Sequence, residues 1–230
     1  MGKANQKMAK TIVIYRACSV GNPAKNRPIH HGDKAKMVEY AFGSFRKAFE
    51  DCAYDLVVLL DRPTDEMRAI FAGCQVEESY NSGLSVGNER SFHKQIKIAL
   101  EAKQPFLFVE DDYYFLPDSG KKIITATQEL PFITPYDHPG YYTEATHLYK
   151  RAIRIVGGHH WGSVISTTLT FGGQYESLRD EAETMMKYGW ADHPMWVDVT
   201  TRTPLYSAIP SLATHLESEW LSFVVKWPFA

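Results

Sequence analysis

The residues best suited to chemistry in this chain stand together. Glu110, Asp111 and Asp112 follow the apolar run Pro105–Val109 and precede Tyr113-Tyr114-Phe115. Charge beside such a stretch must be paired or neutralised, because a bare ion loses its hydration there. Three adjacent carboxylates also repel one another. A hard divalent cation answers both problems, and oxygen ligands suit Mg²⁺ or Mn²⁺. The plainer alternative is a solvated acidic turn, which would leave Tyr113–Phe115 facing water. The triad is therefore read as an ion-binding segment.

Such a segment needs elements that carry it to a cleft. Thr11–Val20 is β-branched and apolar and predicts a first strand, followed by a Gly/Pro/Asn-rich loop at Gly21–Asp33. In Lys34–Asp51, the residues Met37, Tyr40, Ala41, Phe45, Ala48 and Phe49 recur at helical spacing. Asp55–Asp61 predicts a second strand ending in an acid, and Pro63-Thr-Asp-Glu starts a short helix. Cys74–Gly87 predicts a short strand and a Gly/Ser/Asn loop, and Asn88–Ala102 a helix capped by Asn88. Gln104–Phe115 is the acid-bearing strand. Strands alternating with helices predict an α/β fold, with a mostly parallel central sheet flanked by helices. Ligands of such sheets lie outside the carboxyl ends of the strands. That rule gathers Arg16 to Ser19, Asp61 and Glu110 to Asp112 on one edge.

The second half changes character. A short helix to Leu130 and a strand at Phe132–Tyr136 come first, and His147–Val156 and His160–Phe171 predict a hairpin about Gly157-Gly158. Gln174–Tyr188 predicts a helix, and the remainder reads as irregular and aromatic. With no linker, the 230 residues read as one domain, an α/β half over about 11–116 followed by a β-rich half over about 117–230. The net charge of −2 gives no general drive toward nucleic acid or anionic membrane. Cys18, Cys52 and Cys74 form no C-x-x-C pair, so zinc and redox centres are not indicated. No signal peptide or membrane-length apolar run is visible, and a cytoplasmic protein is expected.

The order of these features resembles a GT-A type glycosyltransferase, from about Thr11 to Trp220, and the resemblance implies that residues of about 11–116 form a nucleotide-binding half and those of about 117–230 an acceptor half. Glu110-Asp111-Asp112 resembles its D-x-D motif, with Glu in the first place. The resemblance implies a UDP- or GDP-sugar donor, bound by Arg16, Ala17, Asp61 and Asp111. It also implies a basic residue on the helix before the motif, and Arg90 and Lys94 are both candidates. Glu110, Asp112 and His215, the last in Pro210-Ser-Leu-Ala-Thr-His215, are the implied ligands of Mn²⁺ or Mg²⁺. Trp190-Ala-Asp192 resembles the segment carrying the general base of inverting members, with Asp198 and Glu144 as rivals to Asp192. Trp161 and Trp190 are candidates to line the site of an acceptor hydroxyl, and the acceptor could be a glycan, a small molecule or a modified nucleic-acid base. A sugar-phosphate nucleotidyltransferase is the alternative enzyme. It wants a Gly-rich loop with a basic residue directly after the first strand, to cradle a triphosphate. The loop here holds Gly21, Lys25, Arg27 and Pro28 without dense glycines. A third reading is a non-catalytic nucleotide-sugar binding module of the same fold.

Overall fold

The strand β1 (Thr11–Cys18) is buried along nearly its whole length, and the sheet is built outward from it. The structure, a computed structural model, describes residues 10–20, 26–79, 87–148, 150–189 and 191–229. The expectations for Gly21, Lys25, Trp190 and the loop at 80–86 fall outside these residues. After β1 come α1 (Lys34–Ala48), β2 (Tyr54–Asp61), α2 (Asp65–Ile70), β3 (Gln75–Ser79), α3 (Gly87–Ala102), β4 (Phe106–Glu110) and β5 (Tyr113–Phe115). The second half adds α4 (Ser119–Glu129), β6 (Phe132–Thr134), α5 (Gly140–Thr143), β7 (Ile153–Val156), β8 (His159–Val164) and β9 (Phe171–Gly173). It closes with α6 (Tyr175–Tyr188), α7 (Asp192–Val199), β10 (Leu205–Ile209) and β11 (Ala213–His215).

Nine strands form one sheet in the order β3-β2-β1-β4-β9-β6-β10-β8-β7. The strands β3, β2, β1 and β4 are mutually parallel. Only β9 and β8 run against the rest, so the sheet is mostly parallel, as expected. Side chains alternate between its faces. Val13 and Tyr15 pack with Phe42 and Phe45 of α1, while Ile12 and Ile14 join Phe92 and Ile96 of α3 and Trp196 of α7. Both faces are covered by helices, which explains the near-continuous apolar strands. The short β9 fits between β4 and β6 because Gly172 has no side chain: an added Cβ would meet the carbonyl oxygen of Phe106.

Several expectations need correction. Gln104–Phe115 is not one strand. The chain turns at Asp111-Asp112, and β5 leaves to pair with β11 in a separate two-stranded sheet. This turn lets Tyr113 and Phe115 be buried without dragging the acids into the core. Asn88 lies inside α3 rather than capping it, since the helix begins at Gly87. His160–Phe171 divides into β8 and β9. The supposedly irregular tail contains α7, β10 and β11. Its pattern was hidden because these elements are short and buried, with little polar alternation. Among the described residues, no helix is long and apolar enough to cross a membrane.

Candidate active site

At the carboxyl ends of β1, β2 and β4 lies a cleft of about 350 Å³. Arg16, Ala17 and Cys18 reach it from β1, Asp61 from β2, and Glu110 with Asp111 and Asp112 from the end of β4. Gly87 and Asn88 bring the N-terminal turn of α3 to the same wall. Arg27 and Lys34 complete the lining from the segment that links β1 to α1.

Each acid of the triad meets a different cation. Arg16 Nη2 donates to Glu110 Oε1 at 2.8 Å, and its Nη1 donates to the Asn88 carbonyl at 3.0 Å. Lys34 Nζ lies 2.6 Å from Asp111 Oδ1, while the Cys18 amide donates to Asp111 Oδ2 at 2.9 Å. Arg27 Nη2 lies 3.0 Å from Asp112 Oδ2 and Nη1 donates to the Leu216 carbonyl at 2.7 Å. His215 Nε2 is also 3.0 Å from Asp112 Oδ2, and its ring stacks on Tyr113. The β5–β11 pairing makes this contact, because its register sets His215 opposite Tyr113. Burial, and then the negative field of Asp111 and Asp112, pushes the Tyr15 phenol well above its usual range. Burial likewise raises the Cys18 thiol.

The Arg27–Asp112 and Lys34–Asp111 side chains are only 11–16% exposed. Buried pairs of this kind add little net stability, since desolvation consumes most of the Coulomb gain. They are costly to break one-sidedly, so a ligand that replaces a partner must bring compensating charge. Among the described residues no three His, Cys, Asp or Glu side chains form a ready-made metal cage. Mg²⁺ rarely needs one, because it takes one or two carboxylates and fills its shell with substrate phosphates and water. The neighbouring carboxylates Asp111 and Asp112 fit that donor set.

Arg16, Ala17, Asp61, Glu110, Asp111 and Asp112 are thus brought together, and His215 joins them through Asp112. Arg90 and Lys94 are not among the lining residues. Arg90 is exposed, and Lys94 pairs with Glu77 at 2.8 Å. Trp161 is fully buried in the core and donates its Nε1–H to the Val156 carbonyl. Sequence reasoning missed Lys34 and undervalued Arg27. The available signal was their position between the first strand and the first helix.

Asp192 lies elsewhere, in a second cavity of about 270 Å³. Its other walls are His138, Tyr141, Glu144, His147, Ser166, Thr167, Thr168, His193 and Trp220. Two bonds join the Thr168–Thr170 segment to the acid-bearing turn: Tyr113 Oη and Thr168 Oγ1 are 2.6 Å apart, and the Glu110 amide donates to Thr170 Oγ1 at 3.1 Å. Burial depresses the His138 imidazole to about 4, helped by the nearby His147 and His215. Burial also lowers His147.

No protein-family model and no curated protein matches the chain in sequence. In structure it is similar to a nucleotidyl transferase from Methanothermobacter thermautotroptrophicus, with a TM-score of 0.52 and 12% identity over 86% of this chain and 87% of that one. It is similar to a cytidylyltransferase from Leptospira borgpetersenii, with a TM-score of 0.51 and 9% identity over 87% and 75% of the two chains. A protein from Desulfovibrio desulfuricans G20, provisionally named a nucleotide-diphospho-sugar transferase, gives 0.52 and 11% over 87% and 80%. These likenesses establish the α/β fold. They also correct the main expectation: none of the three is named a glycosyltransferase, and two are named for nucleotidyl or cytidylyl transfer. The resemblance to D-x-D glycosyltransferases, with its UDP- or GDP-sugar donor, is set aside. An acid at the end of a central parallel strand suits any metal–nucleotide chemistry on such a sheet, so the triad could not discriminate.

Proposed function

We propose that this chain is a nucleotidyltransferase, taking a nucleoside triphosphate as donor and a sugar phosphate as acceptor. One observation carries the reading: the segment after β1 sets Arg27 and Lys34 against Asp112 and Asp111, on the floor of a cleft at the carboxyl ends of parallel strands. Basic residues at that point are what a triphosphate needs. The first turn of α3 adds amide donors and the positive end of a helix dipole.

The triphosphate oxygens compete with the two carboxylates for Arg27 and Lys34. Asp111 and Asp112 would hold Mg²⁺ or Mn²⁺, which when bound would offset the charge of the phosphates. An acceptor phosphate oxygen attacks the α-phosphorus. The bond from that phosphorus to the bridging oxygen breaks, and pyrophosphate departs with the electron pair. Arg27 and Lys34 stabilise the charge that collects on this leaving group. Arg16 holds Glu110 and the start of α3 in place. Asp61, opposite Cys18 in the β1–β2 register at the cleft wall, is proposed to meet the nucleobase.

The test is thermal stabilisation by each nucleoside triphosphate with Mg²⁺, alongside pyrophosphate release with sugar phosphates. Ligand binding to the folded state raises its stability by mass action. Wild type is expected to be stabilised by at least one triphosphate, and Lys34→Met and Asp111→Asn to lose that response. Electron paramagnetic resonance of Mn²⁺ supplies a readout independent of turnover: the ion should bind tightly only with the nucleotide present. A folded chain that binds no triphosphate refutes the reading. Binding without pyrophosphate release would mark a non-catalytic module.

A further inference from the structure

The second cavity has an electrostatic character opposite to that of a phosphate site. Its charged side chains, Glu144 and Asp192, are both acidic. His138 Nδ1 accepts the Gly140 amide at 2.9 Å, so a neutral ring carries its hydrogen on Nε2. The depressed imidazoles of His138 and His147 are uncharged at neutral pH. Among the described residues no lysine or arginine lines this space, in contrast to the cleft; Lys150 and Arg151 line an adjoining cavity that shares Tyr141 and His147. His147 is only 7% exposed, and its Nδ1 has no hydrogen-bond partner among the described residues. A buried, unsatisfied ring nitrogen beside a cavity is costly unless a ligand or water meets it. Trp220 and Tyr141 add aromatic surface, and Ser166 and its neighbouring threonines add hydroxyls.

We propose that this cavity binds the uncharged, hydroxyl-rich ring of a sugar, between the aromatic surface of Trp220 and the hydrogen-bonding groups of Glu144, His147 and Asp192. Carboxylates accept from sugar hydroxyls, and neutral imidazoles both donate and accept. An anion here would meet two acids and no resident cation. The inference rests on the nucleotidyl-transfer reading for its biological sense: the ring of the acceptor occupies this cavity, and its phosphate lies beyond Thr168 and Tyr113, at the cleft. Thr168 of the cavity lining bonds Tyr113, which follows the acids Asp111 and Asp112 of the cleft in the chain.

Saturation-transfer NMR at neutral pH, with D-glucose, D-galactose, D-mannose and N-acetyl-D-glucosamine as probes, tests the proposal. At least one sugar should give a signal that inorganic phosphate does not displace. Trp220→Ala and Glu144→Gln should each weaken that sugar's affinity about tenfold, the size expected for losing one good contact. Nucleoside-triphosphate stabilisation measured on the same variants reports whether fold and cleft survive. Glu144 is half exposed in its side chain, so its glutamine variant is expected to fold. The proposal is overturned if no sugar binds, if affinity is unchanged in both variants, or if phosphate competes. Failure of triphosphate binding with sugar binding intact would instead defeat the nucleotidyl-transfer reading and leave this site standing.

Discussion

The cleft and the second cavity are lined by different side chains and are built on opposite principles. In the cleft, Arg16, Arg27 and Lys34 face Glu110, Asp112 and Asp111, so full charges answer full charges. In the second cavity, the imidazoles of His138 and His147 are pushed toward the neutral form by burial, and the acids stand among hydroxyls and aromatic rings. A site of paired charges is poised to exchange one ion for another. A site of neutral donors and acceptors selects by hydrogen-bond geometry and shape. On the proposed reading, this contrast divides phosphate and metal binding in the cleft from binding of an uncharged ring in the second cavity.

The strongest way to break the contrast is to remove one member of a pair. Asp112→Ala leaves Arg27 without its carboxylate partner, in a setting where the pair is about nine-tenths buried. The variant should lose roughly 3 kcal/mol of stability in urea unfolding. A loss below about 1 kcal/mol would show that the cleft tolerates an uncompensated cation.

Acid should act next, and on the second cavity. A base whose folded pKa lies below its ordinary value loses stability on acidification, because the unfolded chain takes the proton first. For His138 the window runs from the ordinary 6.5 down to about 4. Across it the wild type should lose up to about 3 kcal/mol more than a His138→Gln variant. The groups facing His138 are Tyr136, Tyr141 and Trp220, with His147 and His215 as charged neighbours when protonated. Asp137, raised by burial, acts with the opposite sign at the acid end. Equal slopes in wild type and variant would show that His138 is not held neutral.

The smallest effect is expected outside both sites. Lys94 pairs with Glu77 at the surface, with side chains 36% and 38% exposed. Such pairs are worth about 0–1 kcal/mol. Lys94→Ala should therefore alter triphosphate affinity by less than about twofold. A tenfold loss in titration calorimetry would extend the cleft to the exposed face of α3.

Periodicity and punctuation made much of this fold legible. The strands ending at Cys18 and Asp61 and the helices beginning at Lys34 and Tyr175 lie within a few residues of expectation, because long amphipathic or β-branched segments carry their own signal. The break at Asp111-Asp112 was not legible. Nothing local distinguishes a strand that continues from one that departs to pair with β11, a hundred residues away. Trp161 illustrates the same limit: a tryptophan suits a sugar site and a core equally, and only packing chose the core.

By itself the amino-acid sequence determined that acids close two central strands and that an α/β sheet gathers them at one edge, since those facts follow from residue type and local spacing. The tertiary structure alone decided which cations meet those acids, where His215 arrives, and that Asp192 belongs to a different cavity. These are contacts between residues far apart in the chain. Their geometry depends on strand order and register, which no local pattern encodes.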